Sequence, residues 1–402
     1  MAIEADVNMG DNFSRRGFLT STTTALSASR VLGANDRVRL GIIGAGGRGS
    51  FLMGEANKCA GIQWVAVCDA WDERRNEAMK LTGPGVDKIA DYRTLLDRKD
   101  IDAVIVATWD NTHSQIGIDA CRAGKDVYVE KPMTSRPEQG PPLVNVVRET
   151  RRVLQTGVQQ RSTPHFFEAK QRFFTSGKIG EVHMVRTIWN CNGGYLFKPP
   201  AGMEKKPAGL DWEACLGSLP KIPWDPWKYF SRFSWMDLCC GQTGGLLVHM
   251  IDVVQWYLGI TRPLSAVALG GIYQYDDGRD APDNINMILD YPEKLTVTFE
   301  ASLADAVPRE NADIVLMGEG GRLSIFRSGY RFMRSGQKDP AQDIVVKGTP
   351  DLHMANWLEC VRSRKEPNAT VEQGHYGAMA CHMGNFAYQQ KVRVAWKEEW
   401  NI

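Results

Sequence analysis

The chain has 402 residues, enough for two domains with cores of their own. It carries 48 Lys and Arg against 47 Asp and Glu, a net charge of +1, so the composition gives no basis for nucleic-acid or membrane-surface binding. No apolar run reaches the roughly 18 residues of a membrane span, and nine cysteines without a C-x-x-C pair predict free thiols and no metal site.

Near the amino terminus, Ser14-Arg15-Arg16-Gly17-Phe18-Leu19 fits the twin-arginine export pattern. A stretch rich in Thr, Ser and Ala follows, interrupted by Arg30 and ending near Gly33-Ala34. Residues 1–35 are therefore expected to be a leader that sends the chain to the periplasm. A basic tail without that function would leave the protein in the cytoplasm.

Val38 to Gly49 reads V-R-L-G-I-I-G-A-G-G-R-G, an apolar run that ends in Gly44, Gly46 and Gly49 at G-x-G-x-x-G spacing. The first glycine permits a tight turn, the second lets the backbone approach a pyrophosphate, and the third lets the next helix pack close to the strand. Gly47 and Arg48 complete the turn, whose free N–H groups hold phosphates. Asp69 ends a second apolar run, Ile62 to Cys68, and stands 20 residues beyond Gly49. There a carboxylate accepts from an adenosine ribose and repels a 2′-phosphate, so NAD is expected over NADP. Arg74 and Arg75 follow closely, on what reads as a solvated mixed-charge helical face.

The α/β alternation continues with helices over Arg74–Leu81, Tyr92–Leu96 and His113–Ala123, and strands over Ala103–Ala107 and Val127–Val129. Gly124 suits a helix end. Glu130-Lys131-Pro132 follows the last strand, where ligands of open parallel sheets sit. Lys131 is either a site amine or an ordinary surface lysine.

Several blocks together resemble the Gfo/Idh/MocA oxidoreductase family, the glucose–fructose oxidoreductase and inositol dehydrogenase group. They are the glycine fingerprint, V-I-V-A-T-W-D-N-T-H (104–113), A-G-K-D-V-Y-V-E-K-P (123–132) and G-G-L-L-V-H-M-I-D-V-V-Q-W-Y-L-G (244–259). The resemblance implies a Rossmann NAD-binding domain over residues 36–155. It implies an α+β substrate and oligomerisation domain over 156–402, with a large, mostly antiparallel open sheet and C-terminal helices that return to the first domain. Strand-like stretches at Val182–Trp189, Leu264–Leu269, Asn284–Tyr291, Leu295–Ser302 and Asp313–Met317 agree, with a hairpin turn at Pro292-Glu293-Lys294.

The resemblance also implies hydride transfer between nicotinamide and a hydroxyl-bearing carbon of a sugar, glycoside or cyclitol, with the cofactor held tightly in some members. Lys131 and His249 match two of the family's polar residues. The aspartate that normally accompanies them falls at Gly245. Asp252, three residues after His249, and Asp237 are substitutes to test. His249, with an ordinary pKa near 6.5, suits proton exchange. Thr108, Trp109, His113, Glu130 and Gln160 are expected near the cofactor, and Arg161 beside it or a substrate hydroxyl. Arg232 and Trp235, in an aromatic stretch from Trp224, are expected to stack on a sugar or to be ordinary packing. Three functions remain open: a dehydrogenase, a glycosidase that oxidises C3 transiently on bound NAD, and a dinucleotide-binding sensor. A dimer or tetramer is implied by resemblance.

Overall fold

A computed structural model describes residues 37–191, 197–305, 314–337, 344–346 and 352–402. The twin-arginine stretch and Asp313 lie outside the described residues. Six strands form a wholly parallel sheet: β1 (Val38–Ile43), β2 (Ile62–Cys68), β3 (Asp87–Ile89), β4 (Ala103–Val106), β5 (Asp126–Val129) and β6 (Leu154–Thr156). Their order, β3-β2-β1-β4-β5-β6, reverses between β1 and β4. A crevice for a dinucleotide opens at that reversal, at the carboxyl ends of the strands. All four residues of β4 (A-V-I-V) are buried, as expected for a strand covered on both faces.

The longer helices are α1 (Gly47–Asn57), α2 (Asp72–Ala78), α3 (Asp110–Arg122), α4 (Gly140–Thr150), α5 (Val248–Leu258), α6 (His353–Ser363) and α7 (Val371–Gln390). One face of the parallel sheet is completed from the far end of the chain. Met354, Trp357 and Leu358 of α6 pack with Leu40, Ile42, Ile105 and Tyr128, and Trp357 is fully buried. Burying such a side chain contributes about 1.5–3 kcal/mol. Arg362 adds hydrogen bonds of 2.8 Å to the carbonyls of Ala60 and Gly61.

A nine-stranded sheet holds β7 (Val182–Ile188), β8 (Ser265–Gly271), β9 (Asn284–Tyr291), β10 (Leu295–Ser302), β11 (Ile314–Gly318), β12 (Gly321–Phe326), β13 (Gly329–Arg334), β14 (Ile344–Val345) and β15 (Val394–Ala395). Only β7 and β10 run parallel. Strand β10 alternates buried and half-buried residues at period two, so one face meets the core. That face packs on α5 and α7, with Leu289, Val297 and Phe299 against Val253, Met383 and Ala387. Lys294, in the left-handed region at φ 57°, turns β9 into β10 at the expected hairpin.

Element boundaries moved where local geometry overrode periodicity. Helix α3 begins at Asp110, so His113 lies in its first turns. The helix expected from Leu246 starts with a π turn over Thr243–Leu247, and α5 proper begins at Val248. Strand β8 runs two residues past its expected end.

Candidate active site

The glycine turn follows its three expected roles atom by atom. Gly44 has φ 91°, and a Cβ there would lie 2.6 Å from the backbone of Ala107 and Thr108. At Gly49 a Cβ would run into the Gly44 carbonyl, so α1 seats directly on the end of β1. At Gly46 and Gly47 an added Cβ meets nothing within 4 Å. The cradle is therefore open where a diphosphate would enter, beside the N-terminus of α1. Asp69 Oδ2 accepts from Ala45 N at 2.7 Å, and Oδ1 from Trp71 N at 2.9 Å. Its carboxylate thus pins the turn to the end of β2 and retains lone pairs for a ribose hydroxyl. Burial raises the Asp69 carboxyl from its ordinary value, against the pull of those two amides. The residues fit a dinucleotide.

Arg75, but not Arg74, corrects the sequence reading of a solvated helical face. Arg75 is buried, pairs with Asp72 and donates to the Asp69 carbonyl. Arg74 pairs with Glu77 at 2.9 Å and lies 5.2 Å from the Trp71 ring centre. Both guanidinium groups are already engaged, Arg75 at the strand end and Arg74 with Glu77 along the helix.

At the end of β5, Glu130 is buried and accepts from Arg48 Nε at 2.5 Å and from Lys131 N at 3.0 Å. This pair links the glycine turn to the E-K-P loop. His113 bridges the neighbouring loops, with Nδ1 2.8 Å from the Pro132 carbonyl and Nε2 3.2 Å from that of Thr108. The Thr108 hydroxyl accepts from Thr112 at 2.8 Å. Lys131 is partly buried and directed to the other half of the molecule: Nζ donates to the Gly245 carbonyl at 2.7 Å. Burial pulls its pKa below the ordinary 10.5, with Glu130 and Asp110 opposing and Arg48 and Arg232 assisting. Gly245 sits in the π turn, and a side chain there would enter open space.

His249 is 5% exposed and stacks on Trp189 at 6.4 Å between ring centres. Its Nδ1 lies 3.1 Å from Gln160 Oε1. With that oxygen accepting, Nδ1 carries the hydrogen and Nε2 is the basic nitrogen. The expectation of a pKa near 6.5 is corrected. Burial, then the charges of Lys131, Arg327 and Arg48, push it well below that value, so the ring is neutral near pH 7.

Asp252 does not orient His249. Its carboxylate accepts from Arg161 Nε at 2.8 and 2.9 Å, both residues being buried. That bond holds Arg161 Nε on the helix, and Arg161 does not line the pocket beside Lys131. The short helical turn Gln159–Ser162 explains the arrangement: consecutive residues Gln160 and Arg161 grip His249 and Asp252, one turn apart on α5. Asp237, the other substitute considered, is exposed.

A small pocket opens beside Lys131 and Gly245, lined also by Phe233, Ser234, Gln242 and Arg279. Phe233 and Ser234 lie between the two expected sugar contacts, Arg232 and Trp235, neither of which lines it. Arg232 lies 4.4 Å from the Phe233 ring centre, and Trp235 joins a packed aromatic group with Trp109, Trp212, Trp224 and Tyr229. Four further residues escaped sequence reading: Gln242, Arg279, Trp189 and Asp110. Asp110 is buried with one carboxylate oxygen unpartnered and acts electrostatically on Lys131. Its position directly after Thr108-Trp109, at a strand end, was an available signal. Among the described residues no group of His, Cys, Asp or Glu is arranged to hold a metal, and no helix is long and apolar enough to cross a membrane.

Comparison with known proteins agrees with this geometry. A family model described as an oxidoreductase family, NAD-binding Rossmann fold, matches residues 38–158. Its companion, the C-terminal alpha/beta domain, matches 221–394. Inositol 2-dehydrogenase 2 of Saccharopolyspora erythraea is 33% identical over 166 residues, 41% of this chain and 47% of that protein. Inositol 2-dehydrogenase of Rhizobium meliloti is 32% identical over 173 residues, 43% and 50% respectively. The match thus spans about half the length of these relatives. The WlbA dehydrogenase from Bordetella pertussis, solved with NADH and UDP-GlcNAcA, shares the fold at TM-score 0.67 and 18% identity, over 90% of this chain and 99% of that one. Aldose-aldose oxidoreductase from Caulobacter crescentus, complexed with glycerol, does so at TM-score 0.68 and 17% identity, over 90% and 100%.

Proposed function

The chain belongs to the Gfo/Idh/MocA oxidoreductase family, and on that basis we propose that it moves a hydride between NAD and a hydroxyl-bearing carbon of a sugar, glycoside or cyclitol. One observation carries the reading. The open glycine cradle, Asp69 and Lys131 all lie at the carboxyl edge of one parallel sheet, and Lys131 reaches across to the helix that holds His249. Gly44, Gly46, Gly47, Gly49 and Asp69 would hold the dinucleotide, and Asp69 with two engaged arginines favours NAD over NADP.

Bound nicotinamide supplies the hydride acceptor. The chain supplies the rest. Lys131 Nζ donates a hydrogen bond to the reacting oxygen and orients it. As C–H electrons leave as hydride, the hydroxyl proton passes to neutral His249 Nε2 and the C–O bond becomes a carbonyl. Gln160 and Trp189 hold the imidazole for that transfer.

The test is to release any copurifying nucleotide with acid, then offer free sugars, cyclitols and nitrophenyl glycosides with and without NAD. NADH formed with a free sugar or cyclitol supports a dehydrogenase. Phenol released without net NADH would replace it with the glycosidase, and silence in both assays despite bound nucleotide with a sensor. Lys131→Ala retaining full turnover would remove the amine from the mechanism.

The reading extends to assembly and location. Val267 and Leu269 of β8 and Ile288 of β9 are exposed on one face of the large sheet, which supports an association of copies through that face. Light scattering that reports a monomer would overturn it. We also propose export through the twin-arginine leader. All nine cysteines are free thiols, as suits a chain folded in a reducing compartment before export. Replacing Arg15 and Arg16 by Lys should hold the protein in the cytoplasmic fraction.

A further inference from the structure

A segment of the second half of the chain is fastened to two strand ends of the first. At the end of β2, Trp71 forms an isolated β-bridge with Leu210. Asp72 N donates to the Gly209 carbonyl at 3.1 Å, and Asp211 N to the Ala70 carbonyl at 2.9 Å. Gly209, at φ 74°, lies so close to Asp72 that a side chain there would meet its carboxylate. Beyond β4, Asn111 Nδ2 donates to the Leu216 carbonyl at 2.7 Å, and Gly217 sits against Thr112. Trp109 packs on Trp212 and Tyr229, at 5.7 and 5.5 Å between ring centres, and Tyr229 reaches back to Trp71 at 5.8 Å.

Strands β2 and β4 flank β1 in the sheet. A segment tied to both must cross the carboxyl end of β1, where the glycine turn lies. It does so without filling the cradle, since Gly46 and Gly47 face open space. The segment also holds itself together. Trp212 and Trp224 meet at 5.2 Å, Trp212 Nε1 donates to the Ile222 carbonyl, and Leu216 and Leu219 are buried beneath them.

We propose that residues 209–229 form a clasp over the dinucleotide groove, so that a bound nucleotide is exchanged only when the clasp lifts from its anchors on β2 and β4. The proposal rests on the dinucleotide-binding reading above.

The test uses the full-length protein as purified, isotopically labelled NAD, and filtration to follow uptake of label. Asn111→Ala removes one anchor, and Trp212→Leu loosens the aromatic group. Each should speed label uptake at least about tenfold, since affinity changes within one site fall mainly on dissociation. Circular dichroism and the melting temperature of Asn111→Ala should stay near the parent values, which keeps the test valid if Trp212→Leu folds poorly. Uptake in Asn111→Ala at the parent rate would overturn the clasp while leaving dinucleotide binding intact. Failure of the parent protein to bind either NAD or NADP would overturn the functional reading and the clasp with it.

Discussion

The side-chain carbonyl of Gln160 lies 3.1 Å from His249 Nδ1 in a buried pocket, and this one hydrogen bond decides which imidazole nitrogen is basic. Gln160→Leu removes the acceptor and frees the ring to adopt the other tautomer. A general base contributes about 10²–10⁴-fold, so a misdirected one should lower kcat by about tenfold to a hundredfold. Gln160→Glu should instead raise the imidazole pKa and move the acid limb of the rate profile upward. Steady-state kinetics of both variants check this, and unchanged profiles would exclude the role.

The pH profile of the parent should be bell-shaped in the oxidative direction. His249 must be neutral to accept a proton, and its pKa is held well below 6.5, so activity falls only as pH drops through that lowered value. Lys131 donates most strongly as the ammonium, and its pKa is held below 10.5, so activity falls again on the alkaline side before 10.5 is reached. An acid limb centred above 6.5 would contradict the burial of His249.

Glycines of the turn should separate binding from stability. A Cβ at Gly46 enters open space, so Gly46→Ala should keep the melting temperature yet weaken NAD by about tenfold or more, roughly 1.4 kcal/mol. At Gly49 the same methyl meets the Gly44 backbone. A helical Gly→Ala change normally gains about 0.5–1 kcal/mol, but overpacking costs about 1–3 kcal/mol and here wins. Thermal melts and titration calorimetry of the two variants test the contrast.

Arg161→Met should destabilise the protein by about 3–5 kcal/mol, because it strands a buried carboxylate at Asp252. Adding Asp252→Leu should recover most of the loss, since well-packed apolar replacements of buried pairs are close to neutral. Denaturant unfolding measures both. A double variant no better than the single one would mean the pair does more than satisfy itself.

Gly245→Asp should fold, because a Cβ at that position meets nothing within 4 Å. A carboxylate beside Lys131 favours the ammonium and should raise its pKa. The alkaline limb should move up accordingly, and an unmoved limb would place the carboxylate out of reach of the amine.

Much of this was legible in the sequence because the signals are local. The glycines, Asp69 and the E-K-P block each follow an apolar strand, and strand ends are where an α/β sheet binds. What periodicity could not give was the pairing of distant residues. Lys131 meets Gly245 across 114 positions, and Arg161 meets Asp252 across 91. Asp252 shares a helix with His249, and sequence spacing alone suggested a partner that Arg161 had already taken. Trp71 and Trp109 both fall just past strand ends, a repeated large apolar group where small or polar residues usually serve a ligand. That repetition was the one readable sign of the segment that covers them.

The underside of the parallel sheet is finished by Met354, Trp357 and Leu358, which arrive some three hundred positions after Leu40 and Ile42. During synthesis, the ribosome must therefore have passed residue 358 before the nucleotide half can close its own core. Cofactor capture is then a late, post-translational event, and a chain cut before residue 353 would leave an exposed greasy surface for chaperones or proteases to find.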